Sequence, residues 1–257
     1  MKNKLTKTGK EKIYRLYSTG VYYHKILDFG HILKHYKYER PVRFGFRRRH
    51  GGRKPGTIFN PELKLNKKNR DDAVHRIRNK IINIALANFN QNSKFITLTF
   101  GENITGIRIA NIEFKKFIQR LRNICKYSYF KYLAVIQFQE RGAVHYHMLS
   151  DLPYTPKAKL AKIWGNGFVK INDITNVDNV GAYLVGYMNK KINDKRLLRN
   201  KAYLISKNLE KPKELYGHKA KKCMDKNDLW NRKPVYQNSY IAERYDKVTY
   251  REFNLKR

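Results

Sequence analysis

Residues 137–149 read QFQERGAVHYHML. Val144, Tyr146 and Met148 alternate with His145 and His147, and alternation that includes β-branched and aromatic side chains predicts a strand. Residues i and i+2 of a strand share one face, roughly 6.5–7 Å apart along the chain. Two imidazoles at that separation can converge on one divalent ion. The preceding run, FKYLAVIQF at 130–138, is a second apolar segment of strand length. Glu140-Arg141-Gly142 lies between them as a turn, with glycine where a left-handed backbone is wanted. A three-residue hairpin loop with Gly142 at its end sets Gln137 opposite His145 on the same side of the sheet. The Gln137 amide oxygen is then a third candidate ligand beside the two histidines. Three ligands leave positions open on the metal, as in catalytic rather than structural sites. The same pair also fits two sheet histidines that make ordinary hydrogen bonds.

The chain has 257 residues, a length for one large domain or for a core with extensions. Apolar residues make up 41% and aromatics 13%, enough for a true core. Against 20 acidic residues stand 56 basic ones, a formal net charge of +36. Such a field attracts polyanions, nucleic acid first among them. It names the partner class and no chemistry. Cys125 and Cys223 show no metal-type spacing and fit a reducing cytoplasm. The N-terminal MKNKLTKTGKEKIYRLY lacks an apolar signal core, and no stretch is apolar enough to span a membrane. A cytoplasmic protein of a bacterial host is expected.

Outward from the hairpin, Val74, Ile77, Ile81, Ile84 and Ala85 recur at helical spacing within residues 69–89. FITLTF at 95–100 reads as a central strand, and residues 111–124 as an amphipathic helix with Phe114, Phe117, Ile118 and Leu121 inward. A short helix over 155–164, a strand over 167–174 and a helix capped by Asp178 and running to about Lys191 complete the core. The order predicts an α+β domain, an antiparallel sheet of about five strands with helices covering one face. Residues 1–60 hold 16 Lys/Arg and three acids, with aromatics interleaved at Tyr22, Tyr23, Tyr36, Tyr38, Phe44 and Phe46. Arg43, Arg47, Arg48, Arg49, Arg53 and Lys54 form the densest cluster and are the candidate DNA contacts. Such a segment can track phosphates and stack unpaired bases, or act as a solvated arm that binds nucleic acid non-specifically. After residue 193 the pattern weakens, and the closing stretch allows two or three short strands. No GxxxxGK[ST] occurs, so no nucleotide cofactor is expected.

Tyr183 and Tyr187 stand one helical turn apart, with Lys190 three residues further on. A tyrosine hydroxyl, with an ordinary pKa near 10, can attack a phosphodiester when a metal and a cation draw off charge. An aromatic stripe packed on the sheet would show the same spacing.

Taken together, these residues resemble the HUH endonucleases, specifically the rolling-circle replication initiators of small phages and plasmids. FITLTF looks like the family's first motif. His145-Tyr146-His147 is similar to its metal-binding motif. Tyr183-Leu-Val-Gly-Tyr187-Met-Asn-Lys190 resembles its two-tyrosine nicking motif. The flanks QERGAVHYH, WGNGFVKI and NVGAYL are similar as well, so the resemblance spans roughly residues 70–210. It implies a ferredoxin-like nickase core at 69–195, between a basic N-terminal extension (1–68) and a basic C-terminal extension (196–257). It implies catalysis by Tyr183, Tyr187 and Lys190, and Mn²⁺ or Mg²⁺ held by His145, His147 and Gln137. It also implies a 5′-phosphotyrosyl link to single-stranded origin DNA, with host helicase and polymerase as partners. Two positions depart from the pattern. Gln137 stands where the family often has an acid, and Gly186 where a cation often follows the first tyrosine. A transposase of the same chemistry and a non-catalytic basic nucleic-acid-binding protein are the alternatives.

Overall fold

The structure is a computed structural model and describes residues 20–44, 67–124, 129–188, 197 and 200–257. The first elements are β1 (Val21–Asp28), β2 (Ile32–Arg43), α1 (Lys67–Asn88), β3 (Lys94–Phe100) and α2 (Ile107–Ile124). The hairpin strands β4 (Tyr132–Phe138) and β5 (Val144–Ser150) follow, then α3 (Lys157–Trp164), β6 (Gly167–Asn172) and α4 (Val180–Gly186). The chain closes with β7 (Tyr203–Ile205), β8 (Lys213–Tyr216), α5 (Gly217–Lys226), β9 (Tyr236–Ala242) and β10 (Asp246–Asn254). These elements form two units, Asn60–Lys211 and the pair of segments Met1–Phe59 and Pro212–Arg257. The protein is α+β, with one five-stranded antiparallel sheet in each unit.

In the Asn60–Lys211 unit the sheet order is β6-β3-β5-β4-β7. Gln137 pairs with His145 across β4 and β5, the register expected from the three-residue loop. Gly142 has φ +86°, and its N–H donates to the Gln139 carbonyl at 2.8 Å. A side chain there would resist the left-handed backbone that closes the loop. Arg141 donates from the same loop to the carbonyls of Gly101 and Phe100, tying the hairpin tip to the end of β3.

Both faces of this sheet are covered, rather than the single face expected. Ile96, Leu98, Ala134, Ile136, Tyr146 and Met148 pack with Phe114 and Phe117 of α2 and with Leu160 and Trp164 of α3. Phe95, Leu133, Val135 and Leu149 pack with Ile81 and Ala85 of α1 and with Leu184 and Val185 of α4. The central strands are apolar on both sides, the pattern of a sheet buried between layers.

Three boundaries differ from the sequence expectation. The apolar stripe of α2 extends back through Ile107 and Ala110, so that helix starts before residue 111. The first helix begins at Lys67, which places Asp71 and Asp72 beyond its first turn. The nicking-motif helix is short: Asn179, not Asp178, is the N-cap, accepting from the Ala182 N–H, and Tyr187 is the C-cap.

The other unit has the sheet order β8-β1-β2-β10-β9. Segments read from sequence as two separate basic extensions thus share one sheet. Ile26, Leu33 and Phe253 pack with Ala220 and Met224 of α5 and with Leu229 to form its core. Among the described residues no helix is long and apolar enough to cross a membrane.

Candidate active site

The site lies on the α1/α4 face of the core sheet. Successive strand residues alternate between faces, so the bulky Tyr146 points to the opposite side from His145 and His147. Tyr146 is fully buried there, and its hydroxyl donates to Asn111 Oδ1 at 2.9 Å. That burial fixes the strand's face and, with it, where both imidazoles point.

The Gln137 amide oxygen sits 2.7 Å from His145 Nε2 and 2.5 Å from His147 Nε2. The two rings are nearly perpendicular, with centroids 4.6 Å apart. His147 is buried at 4% exposure, and its Nδ1 lies 3.1 Å from Thr97 Oγ1 on the adjacent strand. The His145 Nδ1 is buried and has no hydrogen-bond partner. Burial lowers the pKa of both rings, and for His147 burial together with the neighbouring His145 lowers it to about 3. Both imidazoles are therefore neutral near pH 7, the form that ligates metals.

Among the described residues no group of three His, Cys, Asp or Glu side chains could hold a metal ion. Gln137 supplies the third donor instead. Two neutral imidazole nitrogens and an amide oxygen fit a divalent cation that accepts mixed ligands, a set better suited to Mn²⁺ than to oxygen-seeking Mg²⁺. Thr97 stands behind His147 as the outer partner that orients a ligating ring.

The tyrosines complete the site. Gly181 allows it: a Cβ there would sit 2.7 Å from the Ile82 carbonyl oxygen and 2.9 Å from the Ile82 Cα. Only a glycine lets α4 lie this close on α1. From that seat α4 carries Tyr183 and Tyr187 over Phe95, with ring centroids 4.9 and 5.0 Å from it. The Tyr187 ring also packs on His147 at 4.2 Å, and the two tyrosine hydroxyls are 2.9 Å apart. The bond to Tyr183, burial and the charge of Tyr183 push the Tyr187 pKa up to about 12, while a hydrogen bond from Asn172 opposes the rise.

The structure therefore brings together Gln137, His145, His147, Tyr183 and Tyr187. Lys190 lies outside the described residues, as do Arg47, Arg48, Arg49, Arg53 and Lys54. Arg43 ends β2 in the other unit. Neighbours that the sequence did not single out line the same sheet face. Thr97 pairs with His147 on one side and Lys170 on the other, and Thr99 pairs likewise with His145 and Phe168. Lys170 and Phe168 are exposed on the edge strand β6, and Asn172 follows them on the same face. Only the β3–β6 register reveals this row, and no loop signal announces that register as Gly142 announces the hairpin.

A sheet face with a histidine pair beside a tyrosine pair, in a strongly basic chain, is the equipment of a nucleic-acid-processing protein. Residues 93–192 match the model of a family described as replication-associated protein, of the ORF2 type, and this segment holds all five converging side chains. The match is to replication-associated proteins of small replicons and agrees with a rolling-circle initiator of HUH type. No curated protein and no solved structure matches the chain.

Proposed function

We propose that this protein initiates rolling-circle replication by nicking and rejoining single-stranded DNA through a tyrosine–DNA intermediate. The observation that carries the reading is the packing of Tyr187 on His147, with Tyr183 in hydrogen-bond contact with Tyr187. It puts two nucleophiles beside three converging metal-type donors.

His145, His147 and Gln137 would hold a divalent ion, Mn²⁺ or Mg²⁺, and the ion would supply charge neutralisation at the scissile phosphate. The chain's own residues do the rest. A tyrosine oxygen forms a bond to phosphorus and loses its proton; the bond from phosphorus to the 3′ oxygen breaks, and that oxygen leaves and takes up a proton. The products are a 5′-phosphotyrosyl link and a 3′-hydroxyl that can prime synthesis. Thr97 holds the His147 ring in orientation. Lys170 stands on the same face, where its charge can neutralise a phosphate of the bound strand. A Tyr187 pKa raised to about 12 leaves almost no phenolate at neutral pH, so the hydroxyl needs this cationic surrounding to react.

The test is cleavage of labelled single-stranded DNA from the protein's own replicon, with Mn²⁺, Mg²⁺ or a chelator. Cleavage with metal and none with chelator is expected. Cleavage undiminished in chelator would overturn the metal role, and no cleavage under any condition would favour a non-catalytic binding protein.

A further inference from the structure

The unit formed by Met1–Phe59 and Pro212–Arg257 holds a cavity of about 1010 Å³. Its walls come from β1, β2, β8 and the first turns of α5. A break in the β1–β2 ladder opens it. His24 pairs with Lys37 and Tyr22 with Val42, so Tyr23 alone spans the stretch opposite residues 38–41. Four aromatic rings gather at this break. Tyr22 lies 5.8 Å from Tyr38, 4.8 Å from Phe44 and 4.9 Å from Tyr216, centroid to centroid, and Phe44 lies 5.3 Å from Tyr216.

The rim of the same cavity is cationic. Lys37, Lys219 and Lys221 line it and are exposed. The N-terminus of α5 opens onto it with no acid in its first turn, so the helix dipole adds to the positive potential. Two acids also line the cavity, and both are engaged. Glu214 pairs with Lys25 at 3.1 Å, and Glu39 accepts from the Lys247 N–H at 3.0 Å.

We propose that this cavity is a second nucleic-acid site, which takes unpaired bases of single-stranded DNA against the Tyr22–Tyr38–Phe44–Tyr216 cluster and the flanking phosphates on Lys37, Lys219 and Lys221. Aromatic faces beside a cationic rim are the chemistry that single strands need and that a closed duplex, with its bases stacked inside, does not use. An apolar small molecule would not call for three lysines. A free polyanion would not call for four rings. The site holds its strand through a unit other than the one that bears the tyrosines, and it does not depend on nicking.

The experiment measures binding, without divalent metal, of a fluorescent thymidine oligonucleotide and of a duplex of equal length to the full chain. Phe44→Leu and Tyr216→Leu remove ring faces and keep apolar volume; Lys219→Gln with Lys221→Gln removes rim charge. The control pair is Lys157→Gln with Lys159→Gln, on α3 of the other unit. Losing a stacking face is expected to weaken single-strand binding roughly tenfold and duplex binding much less. Phe44→Tyr should retain it. The rim pair should lower the log–log salt slope by about 0.7 per lysine engaged, and more than the control pair does. Photo-crosslinking from 5-iodouracil should land on Tyr22, Tyr38, Phe44 or Tyr216. Equal losses for single strand and duplex, equal slopes for rim and control pairs, or crosslinks confined to the Asn60–Lys211 unit would each overturn the proposal. Because no cleavage is read, its failure would leave the nicking proposal standing, and the reverse.

Discussion

The Tyr187 ring packs on the His147 ring at 4.2 Å, so a candidate nucleophile and a candidate metal ligand are in direct contact. Everything else in the site supports that contact from one side or the other. Phe95 lies beneath His147 and both tyrosines, and Gly181 brings their helix down onto α1.

His145→Ala or His147→Ala should abolish cleavage of origin DNA while leaving DNA affinity nearly intact. The ligands act at one point, whereas affinity is spread over many Lys and Arg side chains. Parallel cleavage and gel-shift assays check this. Equal loss of binding and cleavage would count against a metal role.

Thr97→Val removes the hydroxyl beside His147 Nδ1 and keeps the side-chain shape. Loss of an outer-shell partner typically costs about 10–100-fold in metal affinity or activity. The metal concentration for half-maximal cleavage should rise in that range, and saturating metal should recover much of the rate. An unchanged metal requirement would show that Thr97 does not orient a ligand.

Gly181→Ala forces a methyl group against the backbone of Ile82. Overpacking of this kind costs about 1–3 kcal/mol, and here it lifts the tyrosines off the sheet. Cleavage should fall further than the drop in melting temperature accounts for. A variant as active and as stable as the parent would contradict the close-packing account.

Acid should destabilise the fold before carboxylates begin to titrate. Burial, with the neighbouring His24 and nearby cations, lowers the His35 pKa to about 3, against an ordinary 6.5. Between those values the unfolded chain binds a proton that the folded chain refuses, so stability is fully present above about pH 6.5 and falls as pH drops below it. One such histidine costs up to about 1.4 kcal/mol per pH unit in that window. His35→Leu should flatten melting temperature against pH between about 6 and 4.5. A slope unchanged by the substitution would locate the acid sensitivity elsewhere.

Much of the core was legible because local rules fix it. Gly142 sets a three-residue loop, the loop sets the register, and the register places Gln137 beside His145. The shared sheet of residues 21–43 and 213–254 was hidden for the opposite reason. Its pairing joins segments from opposite ends of the chain, as in Lys25 with Tyr216, and no turn announces such a partner. Composition misled there as well. On β2 the consecutive residues Ile32, Leu33, Lys34 and His35 are all buried, so charge on a strand did not mark it as a solvated arm. The short α4 was overextended because the periodicity of Tyr183 and Tyr187 survives at the C-cap, where the helix has already ended.

The 2.9 Å contact between the Tyr183 and Tyr187 hydroxyls makes either one a candidate attacking group. The most direct measurement is the yield of covalent protein–DNA adduct on a denaturing gel, with labelled origin strand and Mn²⁺, for the parent, Tyr183→Phe, Tyr187→Phe and the double variant. The two-tyrosine account predicts adduct from the parent, a reduced yield from each single variant and none from the double variant. Adduct that persists in the double variant would contradict the assignment of these residues as nucleophiles, and one dead single variant beside a fully active one would reduce the mechanism to a single tyrosine.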